Sequence, residues 1–270
     1  MLRPPLLKVS ASATPRIADL QAPVAWRSVD FISDLHLNAA EPATFEAWLS
    51  YMAATPADAV FILGDLFEVW VGDDVLDQES GGQLSFEQQC GEVLARTGSR
   101  LSLYLMHGNR DFLMGEHMAE RSNATLLQDP TALSIFGQRL LLSHADLLCL
   151  DDVDYLAFRK VVRGSAWRTE FLAKPLPERQ AIARGLREQS EARKQQGMAY
   201  ADVDAHAAID WLRAASATTL IHGHTHKPGR HDLGDGYSRV VLSDWDVGAR
   251  PPRAEVVRLS RDGLVRSALA

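Results

Sequence analysis

Five short apolar runs in this chain end in the same kind of polar cluster, and that repetition limits the available folds more than any other feature. The runs are VDFISDLH (29–36), AVFILGD (59–65), LSLYLMHGNRD (101–111), RLLLSHAD (139–146) and TLIHGHTH (219–226). Each has the length and composition of a strand. Helical spacing separates the first three. Phe45, Trp48, Leu49 and Met52 recur at i, i+3, i+4 and i+7, and Phe86, Cys90, Val93 and Leu94 at i, i+4, i+7 and i+8. Strand–helix–strand alternation builds a parallel sheet whose ligands bind beyond the carboxyl ends of its strands. The second half carries hairpin patterns instead: LSIF-GQ-RLLLSH, the stretch around LGDGYSRVVL, and EVVRL-SRDG-LVRSAL. Together they predict an α/β fold, a layered β-sandwich of two mixed sheets flanked by helices, with all five polar clusters at one edge.

Residues 1–26 are rich in proline and small polar residues and read as a loosely ordered extension. Residues 27–270 read as one domain, interrupted at about 151–200 by a helical, proline-containing insertion. A net charge of -7 argues against a general nucleic-acid binder. Cys90 and Cys149 form no framework and fit a reducing compartment. No stretch approaches the ~20 apolar residues of a spanning helix, and the first 26 residues lack the apolar centre of a signal peptide. The expected setting is the cytoplasm.

The clusters gather Asp34, His36, Asp65, Asn109, His144, His224 and His226. Carboxylate, amide and imidazole donors without thiolates suit Mn²⁺, Fe²⁺ or Zn²⁺. Seven donors exceed one ion and fit two, about 3.5–4 Å apart with a bridging carboxylate. Asp34 and His36, i and i+2 at a strand end, reach the same ion, and Asp65 from the next strand is the natural bridge. Singly, each residue has an ordinary explanation. Asp after Gly is usually a turn, Asn109 suits a positive φ, and a lone His144 is more often a satisfied buried histidine than a ligand. Their joint occurrence, each directly after a β run, has no such explanation.

In this order, D-L-H, G-D, G-N-R-D, S-H-A-D and G-H-T-H resemble the calcineurin-like metallophosphoesterases from about residue 29 to 250. The resemblance implies one metal on Asp34, His36, Asp65 and His226, and a second on Asp65, Asn109, His144 and His224. His222 is then left in a supporting role, as is His107. Ala145 departs from the pattern, standing where the family usually has glycine. Asp111 is expected to orient a ligand histidine or Arg110, and Asp73 and Asp74 to lie on loops at the site's rim.

Arg110 stands where many members of that superfamily carry a proton-donating histidine. A guanidinium does not give up a proton at neutral pH but grips phosphate through two nitrogens, so a phosphate leaving group suits it. GDLFEVWVGDD (64–74), GNRDFL, LIHGHTHKP and LLCLDDVDYLAFR (147–159) are similar to one subgroup, the UDP-2,3-diacylglucosamine hydrolases of lipid A biosynthesis. That similarity implies a Mn²⁺-dependent pyrophosphatase releasing UMP, with Asp65, His144 and Arg110 catalytic. It nominates Asn109, Arg110, Asp152, Tyr155, Phe158, Arg187, Ser190 and His224 as substrate contacts. The asparagine and lysine expected just beyond Ser190 are out of register, which leaves Lys194 as the candidate phosphate contact.

Residues 159–194 hold ten Lys or Arg against four Glu, a charge of +6 that leaves -13 on the rest of the chain. A basic insertion over an acidic body fits an anionic nucleotide-lipid and peripheral contact with the cytoplasmic face of an anionic inner membrane. The rival readings are another dinuclear phosphoesterase acting on a soluble nucleotide or phosphodiester, and an inactive binding scaffold. A scaffold has no use for seven intact donors.

Overall fold

The computed structural model describes residues 14–78, 82–195 and 201–269, and the side chains of all of these but 188–195. The strands are β1 (Ala18–Gln21), β2 (Ser28–Ile32), β3 (Ala59–Leu63), β4 (Ser102–Met106), β5 (Ala124–Leu127) and β6 (Thr131–Ile135). They continue with β7 (Gln138–Ser143), β8 (Thr219–His222), β9 (Gly229–Gly234), β10 (Tyr237–Val241), β11 (Glu255–Ser260) and β12 (Gly263–Ala268). The helices are α1 (Pro42–Ala54), α2 (Phe86–Gly98), α3 (Glu116–Arg121), α4 (Val153–Val162), α5 (Ser165–Leu172), α6 (Leu176–Gln195) and α7 (Ala205–Ala215).

Two mixed six-stranded sheets result, ordered β12-β11-β2-β3-β4-β5 and β1-β6-β7-β8-β10-β9. Strands β2 to β5 run parallel, as the helices between them require. Register lines up Phe31, Phe61 and Tyr104 on one face of the first sheet and Ile32, Ile62 and Leu105 on the other. The aromatic row stacks, Phe61 to Tyr104 at 4.5 Å between centroids, and Phe31 and Phe61 pack with Leu133, Leu142 and Ile221 of the second sheet. Ile32, Val60 and Leu105 face outward instead, against Trp48 and Met52 of α1 and Cys90 and Leu94 of α2. On the far side, Leu141 and Leu220 pack with Trp211 and Leu212 of α7. The order of layers is therefore helix, sheet, sheet, helix, as the spacing of the apolar residues predicts. Helix α2 begins at a reciprocal cap, in which Ser85 Oγ accepts from Gln88 N and Ser85 N donates to Gln88 Oε1.

One expectation is corrected. The extension was read as loose through residue 26, yet Ala18–Gln21 pair in parallel with β6, from Ala18↔Thr131 to Gln21↔Ser134. Alternation explains it: Asp19 and Gln21 are exposed, while Leu20 packs against the inter-sheet core, as suits a half-buried edge strand. Residues 1–13 lie outside the described residues. The insertion is helical as expected and consists of α4, α5 and α6.

Candidate active site

All five polar clusters lie just past strand ends: Asp34 and His36 after β2, Asp65 after β3, Asn109 after β4, His144 after β7, and His224 and His226 after β8. Both sheets contribute, so the site sits across the seam between them. Asp34, His36, Asp65, His224 and His226 all have left-handed backbones, with φ between 48° and 67°. Non-glycine residues rarely adopt that conformation, and where they do it marks stored strain of the kind that clusters at functional sites. Ala145, at φ 76°, also occupies it, which supplies a physical reason for glycine at that position in the family pattern.

Asp34, His36 and His226 offer ligand atoms within 4.8 Å of one another, and so do Asp34, Asp65 and His144. His36 Nε2 faces His226 Nε2 at 3.4 Å, and the latter lies 3.2 Å from Asp34 Oδ1. Asn109 Oδ1 lies 2.9 Å from His224 Nδ1 and 3.0 Å from His144 Nε2. His144 Nε2 is 3.7 Å from Asp65 Oδ2. Other atoms of these side chains are held by the surrounding chain. His144 Nδ1 donates to Leu63 O at 3.0 Å, which leaves the Nε2 lone pair for the site. Ser33 Oγ and His224 N donate to Asp34, and Arg110 N donates to Asp65 Oδ1 at 2.8 Å.

Electrostatics point the same way. Burial depresses the His144 imidazole, but the carboxylates of Asp65, Asp34 and Asp146 outweigh it and raise its pKa to about 9. His36 is raised against its burial by Glu68, Asp65 and Asp34. Burial tends to raise Asp34, yet the hydrogen bond from His226 and the charges of His144, His226 and His36 hold it well below the usual carboxylate range. A field that pulls protons onto imidazoles pulls divalent cations into the same place. His224 is pushed down to about 3 by burial and the His144 charge, so it stands neutral and ready to coordinate at pH 7. Facing imidazole nitrogens, converging carboxylate oxygens and an amide oxygen, with no thiol among them, fit a pair of hard or borderline divalent cations.

His222, the first histidine of the H-G-H-T-H run, does not join the cluster. It is fully buried, its Nδ1 hydrogen-bonds to Gly223 O, and burial lowers its pKa to about 4. Asp111 plays a different part from the one expected. Its carboxylate accepts from Leu66 N at 2.8 Å and Gly108 N at 2.7 Å, stitching the Asp65 and Asn109 loops together by their backbones. Asp73 accepts from Trp70 Nε1, Gly115 N and Met118 N. Asp74 pairs with the buried Arg179 of α6.

The insertion crosses over these loops. Tyr155 places its ring 6.1 Å from that of His224 and hydrogen-bonds through its hydroxyl to Asp146. Arg187 Nε lies 3.2 Å from Glu68 Oε1. Asp152 caps α4, accepting from Tyr155 N at 3.2 Å, and Phe158 is exposed on the same helix. Ser190 and Lys194 belong to α6, but their side chains lie outside the described residues.

Three participants escaped the sequence reading. Fully buried Asp146 binds Arg159 at 2.6 Å and lies 3.9 Å from Arg163, and Arg163 also donates to Gly108 O at 2.8 Å. Asp244 stands 3.7 Å from His226 Nδ1. Glu68 lies 3.0 Å from His36 Nδ1 and accepts from Arg110 at 2.7 Å. Glu68 had a legible signal, a lone carboxylate inside the apolar run LFEVWV, because an acid in such a run is buried only with partners.

The calcineurin-like phosphoesterase family model matches residues 27–228. The UDP-2,3-diacylglucosamine hydrolase of Chromobacterium violaceum is 46% identical over 225 residues, 82% of this chain and 92% of that protein. The enzyme of that name from Aromatoleum aromaticum is 44% identical over 241 residues, covering 83% and 95%. The one from Escherichia coli O7:K1 is 41% identical over 221 residues, covering 80% and 90%. The chain is thus a metal-dependent hydrolase that belongs to the calcineurin-like phosphoesterase family and, within it, groups with the UDP-2,3-diacylglucosamine hydrolases.

Proposed function

We propose that this protein hydrolyses the pyrophosphate bond of UDP-2,3-diacylglucosamine to UMP and 2,3-diacylglucosamine 1-phosphate, as a step in lipid A biosynthesis. The observation that carries this reading is the meeting of seven donor residues from both sheets beneath a basic helical insertion. Asp34, His36, Asp65 and His226 would hold one divalent cation and Asp65, Asn109, His144 and His224 the other. The donor set suits Mn²⁺, Fe²⁺ or Zn²⁺, and the similarity to the UDP-2,3-diacylglucosamine hydrolases implies Mn²⁺. When bound, the two cations supply Lewis acidity toward the α-phosphate oxygens and toward the attacking water. Arg110, fixed by Glu68, would stabilise the charge that develops on the transferring phosphoryl group. It offers no proton, which suits departure of a sugar 1-phosphate that leaves as a stable anion. Tyr155, Arg187, Asp152, Phe158, Ser190 and Lys194 would bind the glucosamine, its acyl chains and its phosphate.

The described helices include none long and apolar enough to cross a membrane. Exposed Val153, Phe158 and Val161 on α4, with the basic residues of the insertion, support peripheral contact with the cytoplasmic face of an anionic membrane. Purified protein supplied with Mn²⁺ and UDP-2,3-diacylglucosamine is expected to release UMP. Release should stop on chelation and in Asp65→Ala. Metal-dependent cleavage of bis-p-nitrophenyl phosphate without UMP release would keep the site and discard the lipid substrate.

A further inference from the structure

The Glu68 carboxylate touches side chains from three different parts of the fold. Its Oε2 faces the Nδ1 of His36, a nominated metal ligand, at 3.0 Å. Its Oε1 takes both Arg110 of the Asn109 loop, at 2.7 Å, and Arg187 of helix α6, at 3.2 Å. The side chain is 9% exposed. The backbone fixes it there: Leu37 N donates to Leu66 O and Glu68 N to Leu37 O, tying the segment after β3 to the one after β2. A carboxylate is well suited to this position because it only accepts. Facing Nδ1 at 3.0 Å, it favours the imidazole proton on that nitrogen, which leaves the Nε2 lone pair on the side of His226.

We propose that Glu68 is a positioning residue that joins the insertion to the metal site, setting the tautomer of His36 while anchoring Arg110 and Arg187 on its other oxygen. The inference rests on the phosphoesterase reading of the site but not on the identity of the substrate. It has two consequences. Cation affinity depends on Glu68 although Glu68 does not coordinate. In addition, the order of α6 responds to what occupies the site below it.

The test is Mn²⁺ binding by calorimetry on the full chain, comparing wild type, Glu68→Gln, Glu68→Asp and Arg187→Ala. The glutamine amide keeps the size of the side chain but can present N–H to His36 Nδ1, which moves the imidazole proton onto Nε2, the nitrogen the cation needs. Glu68→Gln is therefore expected to bind Mn²⁺ ten- to a hundredfold more weakly, in the range for groups that orient ligands, with its metal-free melting temperature retained. Glu68→Asp should recover part of the affinity, whereas Arg187→Ala should keep wild-type Mn²⁺ affinity and raise KM. Hydrogen exchange supplies a readout that leaves Glu68 intact, in case its variants do not fold. Adding Mn²⁺ should slow exchange in the first three turns of α6 in wild type and not in Arg187→Ala. Mn²⁺ affinity of Glu68→Gln within twofold of wild type would overturn the tautomer role, and Mn²⁺-insensitive exchange in wild-type α6 would overturn the coupling. If both hold while UMP release is absent, the substrate assignment fails and this inference stands.

Discussion

At the scale of single residues, the site is built from groups that would not choose their positions alone. Gly223 lies where a Cβ would collide with Asp34 Oδ2 and Ser33 Oγ. Gly223→Ala is therefore expected to push Asp34 aside and weaken Mn²⁺ binding at least tenfold, measurable by titration calorimetry. The histidines predict the pH response of the chelated protein. His144, raised to about 9, contributes stability that is full below its ordinary value of 6.5 and is lost as pH rises through about 9. His222 and His224, lowered by burial to about 4 and about 3, act oppositely: their contribution is present above 6.5 and fades as pH falls toward those values. Urea midpoints of metal-free protein should thus peak near pH 6.5 and drop on both sides. Mn²⁺ must expel the His144 proton, so its affinity should climb between pH 6.5 and 9, with proton release detectable by calorimetry in two buffers. The seven donors were legible in the sequence because each ends an apolar run. Glu68, Asp146 and Asp244 were not assigned, because their roles depend on arginines and histidines that only the fold brings near. The left-handed backbones at Asp-Leu-His and His-Thr-His were equally hidden, since no glycine or asparagine marks them.

Among elements, the insertion is held by arginine–carboxylate pairs at α4 and at the first turn of α6. Arg179 of α6 is almost fully buried and donates to Lys174 O, Val71 O and Asp74. Asp146 anchors α4 through Arg159 and Tyr155. Arg159→Ala strips the main partner from a fully buried carboxylate, a change that costs about 3–5 kcal/mol when nothing compensates. Arg163, 3.9 Å away, can move in, so about 3 kcal/mol is expected in urea unfolding, together with faster hydrogen exchange in α4. Strands β2 to β4 and β6 to β12, with helices α1 and α2, followed directly from periodicity, whereas β5, α3 and α7 were not assigned. Strand β1 was misread as loose, because four residues beside a proline-rich stretch carry too few apolar positions to register as a strand until β6 supplies the other half of the pairing.

For the molecule as a whole, charge is distributed unevenly, with +6 on residues 159–194 against -13 on the remainder. Sedimentation with vesicles containing phosphatidylglycerol should exceed that with neutral phosphatidylcholine vesicles, and the excess should fall as salt rises from 50 to 300 mM (about 14 to 6 Å of Debye length). Equal binding to both would leave only the apolar residues of α4 as the contact. The donors also span almost the whole chain: His224 N bonds to Asp34 across 190 residues, and β11, near the carboxyl terminus, flanks β2 near the amino terminus. A ribosome making this chain must therefore deliver the 190 residues that separate them before Asp34 meets His224. Until then the emerging chain carries scattered acids and histidines but no assembled centre, so the hydrolase becomes competent only once β8 and the loop that follows it have left the ribosome.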